Sequence, residues 1–343
     1  MSQPRIFSGI RPSGGIHIGN YFGALRNWIE LQNSYDCVYG VVDYHALTTP
    51  FDPDTMPQLR FDMMAALLAA GLDPGRCTLI FQSDIQEHTE LAWILSCLAP
   101  LGQMERMTQF KDKSQQSPEN INLGLLSYPA LMAADILIYR AEAVPVGEDQ
   151  VQHLELTRDL ARKFNNAYGE FFPEPEALLT ETPRIMGLDG KSKMSKTLNN
   201  HISLFEPSDT LQQKIMTAVT DENRKRRSDP GNPDVCNIFS LHKIFSTPEE
   251  VAMIGRECRV AGIGCVDCKK ILLSHMEPFI APLRDKYQEL QNDPDVVYGI
   301  ADQGAHRCRP IAQETMEGVR ERLGIKKIPS SAPHQSRMFA KSN

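Results

Sequence analysis

Apolar runs of strand length alternate with amphipathic stretches along the first half of the chain. The apolar runs predict strands at 5–10, 37–43 and 77–83. The stretches between and after them have helical spacing and predict helices at 19–33, 54–70 and 86–98. This alternation is typical of βαβ units. It predicts an α/β fold in which a parallel sheet carries helices on both faces.

The second half of the chain has a different pattern. Two helices are predicted at 127–141 and 148–166, separated by the short apolar segment VPVG. After residue 183 the sequence is mostly helical, with helices predicted at 207–219, 248–258, 267–291 and 305–323. We therefore predict three regions: an α/β domain over 1–197, a helical domain over 198–328 whose last helix can return to the first domain, and a disordered tail over 329–343.

Composition narrows the class of protein. The chain has 343 residues, more than the roughly 250–300 that one core usually supports. Hydrophobic residues make up 41% and charged residues 23%, which excludes a disordered or fibrous chain. Because no apolar run approaches the ~20 residues of a membrane helix and the N-terminus is unlike a signal peptide, we expect a cytoplasmic protein. The net charge of −7 argues against non-specific nucleic-acid binding but leaves room for local basic patches.

Two segments carry candidate chemistry. The turn RPSGGIHIGN follows the first predicted strand, where ligands bind in an open parallel sheet, and its glycines allow close backbone approach to a phosphate. It matches neither the Walker pattern nor GxGxxG, so an ordinary βα turn is the alternative. Lys193 to Thr197 form a second segment, whose two lysines suit closure over a polyphosphate. The alternative there is a solvated basic loop.

Together the two segments resemble the signature pair of class I aminoacyl-tRNA synthetases. His17-Ile18-Gly19-Asn20 resembles HIGH, with Asn20 in place of the second histidine, and Lys193 to Thr197 resembles KMSKS, with Thr197 in place of the last serine. Four further segments are similar to the bacterial tryptophanyl-tRNA synthetase family: FSGIRPSGGIHIGNYFGAL, DYHALTT, YPALMAADILIYRAEAVPVGEDQVQH and HLELTRDLARKFN. The resemblance runs from about residue 5 to 325. The sister tyrosyl-tRNA synthetases share the fold but not the AADIL…VPVGEDQ run.

The resemblance implies a Rossmann-like catalytic domain and a helical domain that binds the tRNA anticodon. It implies activation of L-tryptophan with ATP and Mg²⁺, followed by transfer to tRNA(Trp), in a homodimer. The implied catalytic residues are Lys193, Ser195, Lys196, His17 and Asn20. The implied ATP contacts are Arg11, Pro12, Ser13, Gly19, Asn20, Gly147, Glu148, Asp149, Ile185, Lys193, Met194, Ser195, Lys196 and Thr197. Many members carry Gln where this chain has Arg11, which can touch the ATP phosphates or the substrate carboxylate.

Seven residues are implied to form the tryptophan pocket: Phe7, His45, Met132, Asp135, Val144, Val146 and Gln150. Asp135 lies in an apolar helix and needs a hydrogen-bond donor, because burying an unpaired carboxylate is costly. The indole N–H is one such donor. Pairing with an arginine or capping of a helix are the alternatives. The apolar members have an ordinary core role as their alternative, and Glu148 and Asp149 a helix-capping role.

Eight cysteines are many for such a chain, and four of them crowd together. Cys236, Cys258, Cys265 and Cys268 are spaced as C-x21-C-x6-C-x2-C, which predicts a structural metal or cluster site rather than free thiols. Some tryptophanyl-tRNA synthetases carry a very similar arrangement and bind a [4Fe–4S] cluster, so the resemblance favours the cluster, with zinc as the second choice. The other cysteines, Cys37, Cys77 and Cys97, are expected to be buried, and Cys308 receives no role.

A basic run precedes the cysteines. Arg224, Lys225, Arg226 and Arg227 are candidate contacts to the tRNA backbone, with a solvated turn as the alternative. Two other function classes remain open. One is a tyrosine-specific synthetase or another adenylate-forming nucleotidyltransferase. The other is an inactive paralogue that senses amino acids or binds RNA, against which the intact pair Lys193 and Lys196 argues.

Overall fold

A computed structural model describes residues 3–147, 150–179 and 185–325. Five parallel strands form its sheet: β1 Arg5–Ile10, β2 Asp36–Val41, β3 Cys77–Phe81, β4 Ala143–Val146 and β5 Glu176–Leu179. Their order is β3-β2-β1-β4-β5, so β1 lies at the centre with β2 and β4 on either side. The predicted parallel sheet is confirmed. The polypeptide crosses from one side of β1 to the other, which opens a crevice at the carboxyl end of that strand.

The first half of the chain supplies nine α-helices among the described residues. They are α1 Ile18–Asn20, α2 Arg26–Leu31, α3 Asp43–Ala46, α4 Met56–Ala70, α5 Glu87–Leu98, α6 Leu101–Met104, α7 Thr108–Gln116, α8 Leu123–Leu137 and α9 Val151–Tyr168. After β5 the described part of the chain is mostly helical. It contains α10 Ser208–Thr217, α11 Asn237–Phe245, α12 Pro248–Arg259, α13 Cys265–Asn292 and α14 Pro294–Arg322.

Three differences from the sequence prediction have physical causes. The segment VPVG is mostly a strand, β4, and β5 was not predicted at all. Each has only four residues, too few for a period-two pattern to show. The single helix predicted over 19–33 is divided, because the π-helical turn Tyr21–Leu25 separates α1 from α2. Such turns are frequent at functional sites, and this one follows the HIGH-like segment directly.

Hydrophobic side chains form two cores. One core joins α4 to helices of the second half, chiefly α11 and α13. The other core is built from α5, α8 and α9, with the last helix α14 packed over it. Cys37 and Cys77 are buried as expected, but Cys97 is exposed, so that prediction is wrong. Cys97 lies on the outer face of α5, opposite the buried Leu91 and Leu95.

The last helix lies along β3. Gly304 of α14 approaches the strand so closely that a Cβ atom there would stand 1.8 Å from the carbonyl oxygen of Leu79. The guanidinium of Arg320 pairs with Glu90 of α5, its Nε donating at 2.7 Å. A helix from the end of the sequence therefore closes the core of the sheet domain. Among the described residues no helix is both long and apolar enough to cross a membrane. The tail predicted over 329–343 lies outside the described residues.

Candidate active site

The turn after β1 forms the floor of the crevice. Gly14 has a φ of +92°, a conformation that other residues rarely adopt, so this turn requires glycine. The turn ends at His17, which caps α1. Its Nδ1 accepts from the backbone N–H of Asn20 at 3.2 Å, while the Asn20 side-chain oxygen accepts from the His17 N–H at 3.1 Å. Asn20 therefore fixes the histidine as well as the backbone of the turn.

The second signature segment lies in a loop held by one buried amide. Asn200, 4% exposed, accepts at its Oδ1 from the backbone N–H of Ser195 at 2.8 Å. Its Nδ2 donates to Asp189 at 2.9 Å. Met194 is buried, and its N–H donates to the carbonyl of Ile185 at 3.1 Å. Because Met194 anchors the loop inward, the side chains on either side of it face the crevice or the solvent.

The loop and the turn meet. The ammonium of Lys196 donates to the carbonyl oxygen of Ser13 at 3.1 Å and stands 3.5 Å from where a Cβ of Gly14 would lie. Burial lowers the pKa of Lys196 from its usual value. Burial, together with the charges of Lys196, His201 and Lys193, lowers the pKa of His17 to about 4. Neutral His17 thus sits beside two ammonium groups, an arrangement suited to an anion such as a phosphate chain.

A second group of polar side chains surrounds Asp135 in α8. The carboxylate is 1% exposed and accepts three hydrogen bonds, from His45 Nε2 at 2.8 Å, Gln82 Nε2 at 2.7 Å and His88 Nδ1 at 2.7 Å. Burial alone would raise the pKa of Asp135, but the hydrogen bonds from the two histidines outweigh it and hold the pKa below its usual value. Its described partners are two imidazoles and an amide, not an arginine.

The apolar residues predicted for the pocket share one core cluster. Phe7, Val144 and Val146 are buried there, and Met132 packs against it half-buried. The Phe7 ring stacks on Tyr139 with centroids 5.5 Å apart. Met132 lies one helical turn before Asp135 on α8, so the thioether and the carboxylate face the same side.

Several residues of this region were not predicted from the sequence. Gln82 and His88 bind Asp135 directly, and Tyr128 lies seven residues before Asp135, on the same face of α8. Tyr128 contacts the ring of His45, and the Lys113 ammonium stands 4.7 Å from the Tyr128 ring centroid. Helical spacing from Asp135 would have found Tyr128. Gln82 and His88 come from other elements, so no local pattern marks them.

Lys113 lies close to one of the predicted ATP contacts. Burial lowers the pKa of Lys113, and the charge of Arg11 lowers it further. Arg11 also lowers the pKa of Tyr128, although burial outweighs it and raises that pKa to about 12. Arg11 and Lys113 therefore form a second pair of cations near Tyr128.

The remaining predicted ATP and tryptophan contacts are placed as follows. Gln150 precedes α9, and its N–H donates to the carbonyl of Gly147 at 3.0 Å. Pro12 is buried, whereas Thr197 is exposed. Glu148 and Asp149 lie outside the described residues.

The four clustered cysteines come from three helices and their ends. Cys236 precedes α11, Cys258 lies in the last turn of α12, and Cys265 and Cys268 occupy the first turn of α13. Burial and the charges of the neighbouring Cys236, Cys258 and Cys265 together raise the pKa of Cys268 to about 12. Among the described residues, however, no three cysteine, histidine or carboxylate side chains stand close enough to hold a metal ion. The Cys268 sulfur instead contacts His242 Nε2 at 3.3 Å.

The basic run before the cysteines divides into two parts. Arg224 is half-buried and donates to the carbonyl oxygens of Arg227 and Ile263, each at 2.8 Å, while another nitrogen lies 3.9 Å from the Cys258 sulfur. Lys225, Arg226 and Arg227 are exposed. Arg224 therefore ties the run to the cysteine segment, and the three exposed side chains remain available to a partner.

Comparison with known proteins places this arrangement in a family. Residues 1–281 match the family model for class I tRNA synthetases (W and Y). The tryptophan–tRNA ligase of Deinococcus radiodurans is 51% identical over 94% of this chain and 99% of its own length. The corresponding ligase of Thermotoga maritima is 44% identical over the same shares. The crystal structure of Campylobacter jejuni tryptophanyl-tRNA synthetase, complexed with ADP and tryptophan, superposes with a TM-score of 0.86 at 38% identity, covering 93% of this chain and 99% of that one.

Proposed function

The chain belongs to the bacterial class I tryptophanyl-tRNA synthetase family, and we propose from that premise how its own residues ligate tryptophan to tRNA. The reaction has two steps. The tryptophan carboxylate attacks the α-phosphorus of ATP, forming tryptophanyl-adenylate and releasing pyrophosphate. A ribose hydroxyl of the terminal tRNA adenosine then attacks the activated carbonyl, and AMP leaves.

The observation that carries the proposal is the contact of Lys196 with Ser13 across the crevice. The substrate carboxylate is itself the nucleophile, so the protein has to align the reactants and stabilise charge. Lys193 and Lys196 neutralise the departing pyrophosphate, and Ser195 assists them. His17, Gly19 and Asn20 hold the adenosine and phosphate region. Mg²⁺ arrives with ATP, held largely by the phosphates, and offsets their charge.

Asp135 recognises the indole ring in this proposal. An ionised carboxylate offers about four acceptor positions, and three of them are filled by His45, Gln82 and His88. The remaining position, on the oxygen that only His45 contacts, accepts the indole N–H. Phe7, Met132, Val144 and Val146 enclose the ring. A ligand without that N–H would leave the buried acceptor short of a partner and would be rejected.

The decisive assay is tryptophan-dependent exchange between ATP and pyrophosphate. We expect exchange with L-tryptophan and none with L-tyrosine. Exchange with tyrosine alone would instead indicate a tyrosine-specific synthetase. Absence of exchange with either amino acid, in folded protein, would favour an inactive paralogue. Relatives named tryptophan–tRNA ligase at 51% and 44% identity support the first outcome.

Cys236, Cys258, Cys265 and Cys268 bind a [4Fe–4S] cluster in this proposal, with zinc as the alternative. Four cysteine thiolates suit either group. The four thiols are neighbours, because burial and the charge of Cys265 both raise the pKa of Cys236, Cys258 and Cys268. The resemblance to synthetases with this cysteine spacing favours the cluster. Backbone N–H groups of Ile238 and Phe239 hydrogen-bond Cys236, and Arg224 faces Cys258.

Anaerobic purification tests the cluster. We expect a brown protein with visible absorbance and about four irons and four sulfides per chain. Cys265→Ser should abolish the colour, whereas the control Cys97→Ser, an exposed cysteine on α5, should keep it. A colourless protein with one zinc per chain would favour zinc. Colour that survives Cys265→Ser would remove that cysteine from the site.

The partners beyond the substrates follow from exposed surfaces. Lys225, Arg226 and Arg227 contact the tRNA backbone in this proposal.

A second copy of the chain covers the outer face of α5. That face carries Trp93, 73% exposed, with Cys97 one turn later and Leu101, 62% exposed, just beyond. Such an exposed aromatic and aliphatic stripe is typical of an interface. Sedimentation of Trp93→Glu beside the parent tests the interface: a dimer that persists would place the interface elsewhere.

We also propose a cytoplasmic location, which agrees with eight cysteines that form no disulfide.

A further inference from the structure

A buried chain of hydrogen bonds runs away from Asp135 toward the last helix. His88 is fully buried and uses both ring nitrogens, Nδ1 toward Asp135 at 2.7 Å and Nε2 toward the Tyr139 hydroxyl at 2.7 Å. Tyr139 is also fully buried and meets the side chain of Cys308 on α14. All three residues are at most 1% exposed, and none of them is among the predicted ATP or tryptophan contacts.

The donor and the acceptor of each hydrogen bond in this network can be assigned. The Asp135 carboxylate only accepts, so His88 carries a proton on Nδ1. In the neutral ring Nε2 is then an acceptor, and the Tyr139 O–H donates to it. Burial raises the pKa of Tyr139 and the pKa of Cys308, the latter to about 12, so both groups keep their protons. Cys308 can donate in turn to the Tyr139 oxygen. Each hydrogen bond therefore fixes the next one.

The consequence falls on the two oxygens of Asp135. Oδ1 receives both Gln82 and His88, whereas Oδ2 receives only His45. Two donors on one oxygen fix the plane of the carboxylate and leave the single open position on the other oxygen. If Tyr139 ceased to donate, the His88 proton could move to Nε2. A lone pair would then face Oδ1, and the carboxylate would turn or take up a proton.

We propose that Tyr139 and His88 are positioning residues that set tryptophan specificity by fixing which acceptor position of Asp135 is open. Neither residue touches the substrate, and both act through Asp135. The inference rests on the proposed role of Asp135 as the acceptor of the indole N–H. It extends the specificity determinants to Tyr139, which follows α8 and meets Cys308 of α14, far in sequence from both signature segments.

The test compares two substrates of nearly equal shape. L-tryptophan has the N–H, whereas β-(3-benzothienyl)-L-alanine has sulfur in its place. The readout is the kcat/KM for tryptophan divided by the kcat/KM for the analogue, both measured in ATP–pyrophosphate exchange. For Tyr139→Phe we expect the ratio to fall about tenfold, the effect of losing one well-placed hydrogen bond to a charged group, mainly through a higher KM for tryptophan. The KM for ATP should not change.

Tyr39→Phe is the matched control. Tyr39 is equally buried, and its hydroxyl donates to the Trp28 carbonyl at 3.0 Å, outside this network. A general loss of packing or stability would lower kcat/KM for both substrates together and leave the ratio unchanged, as we expect for Tyr39→Phe. His88→Asn, which keeps a donor at the position of Nδ1, should preserve more of the ratio than His88→Leu. If His88→Leu fails to fold, Tyr139→Phe decides alone.

Asp135→Asn separates the two levels of the proposal. If this variant loses the discrimination but Tyr139→Phe keeps the parental ratio, the positioning role is wrong and the indole contact stands. If Asp135→Asn itself keeps the parental ratio, Asp135 is not the indole acceptor, and both proposals fall.

Discussion

The ammonium of Lys196 donates to the carbonyl oxygen of Ser13 at 3.1 Å, joining two segments that are 183 residues apart in sequence. Ser13 belongs to the glycine-rich turn after β1, and Lys196 belongs to the loop anchored by the buried Met194 and Asn200. The contact places a positive charge over the glycine-rich turn. When ATP occupies the crevice, the same ammonium can leave the neutral carbonyl of Ser13 and bind a charged phosphate oxygen.

Lys196→Ala should therefore slow adenylate formation far more than it weakens tryptophan binding. Loss of a charge that stabilises the transition state costs about 10²–10³ in rate. Single-turnover formation of adenylate gives the rate, and equilibrium titration gives the tryptophan affinity. Lys191→Ala is the control, because Lys191 is on the same loop but exposed, 3.6 Å from Glu222. An unchanged single-turnover rate in Lys196→Ala would count decisively against this role.

The basic run should separate into two phenotypes. Replacing the exposed Lys225 and Arg226 with alanine should weaken tRNA charging and spare adenylate formation. It should also flatten the dependence of tRNA affinity on salt by about one unit of log–log slope per lost phosphate contact. Filter binding across a salt series measures this. Arg256→Ala removes an exposed arginine on α12 and serves as the control.

Arg224→Ala should behave differently from that pair. Because Arg224 bonds the carbonyls of Arg227 and Ile263 beside Cys258, its loss should loosen the cysteine segment. We expect a lower unfolding midpoint and a lower content of iron. If Lys225 and Arg226 variants reduce adenylate formation and charging together, the run is structural throughout.

His17 should make stability fall as the pH falls. In the folded chain burial and the neighbouring charges of Lys196, His201 and Lys193 lower its pKa from 6.5 to about 4. Between these values the unfolded chain binds a proton that the folded chain does not. Stability is then lost as the pH drops from 6.5 to 4, by up to about 3 kcal/mol.

Urea unfolding at several pH values measures this effect. His17→Asn keeps an acceptor at the helix cap but cannot titrate, so it serves as the reference. The advantage of the parent over His17→Asn should shrink steadily as the pH falls through that range. If the free energies of unfolding of the parent and of His17→Asn change in parallel from pH 6.5 to 4, the shifted pKa and the proximity of the lysines are contradicted.

The sequence predicted the parts of this molecule that depend on local pattern. β1, β2 and β3 stand out as apolar runs, and the resemblance of two short segments found Lys196 and His17. Long-range contacts were not predictable. Gln82 reaches Asp135 from the turn after β3 and His88 from α5, and only the assembled fold brings them together. Arg224 differs from its three basic neighbours in being half-buried. Burial depends on the tertiary structure, so the sequence alone did not distinguish Arg224 from them.

The contact of α14 with the sheet gives a matched pair of glycine substitutions. Gly304 and Gly299 lie on the same helix, but a Cβ at Gly304 would stand 1.8 Å from the backbone oxygen of Leu79, whereas a Cβ at Gly299 would meet nothing within 4 Å. Gly304→Ala should lower the free energy of unfolding by about 3 kcal/mol, since the clash is with backbone and α14 must shift outward. Gly299→Ala should raise it by about 0.5–1 kcal/mol, because alanine favours the helix.

Urea unfolding of the two variants beside the parent decides the point. A shift of α14 would also move Cys308, whose side chain meets Tyr139, so Gly304→Ala should lower the discrimination between tryptophan and its benzothienyl analogue. Gly299→Ala should leave that discrimination unchanged. Equal stability of the two variants would show that the last helix does not rest on β3. Lower stability with full discrimination would instead separate the packing of α14 from the position of Asp135.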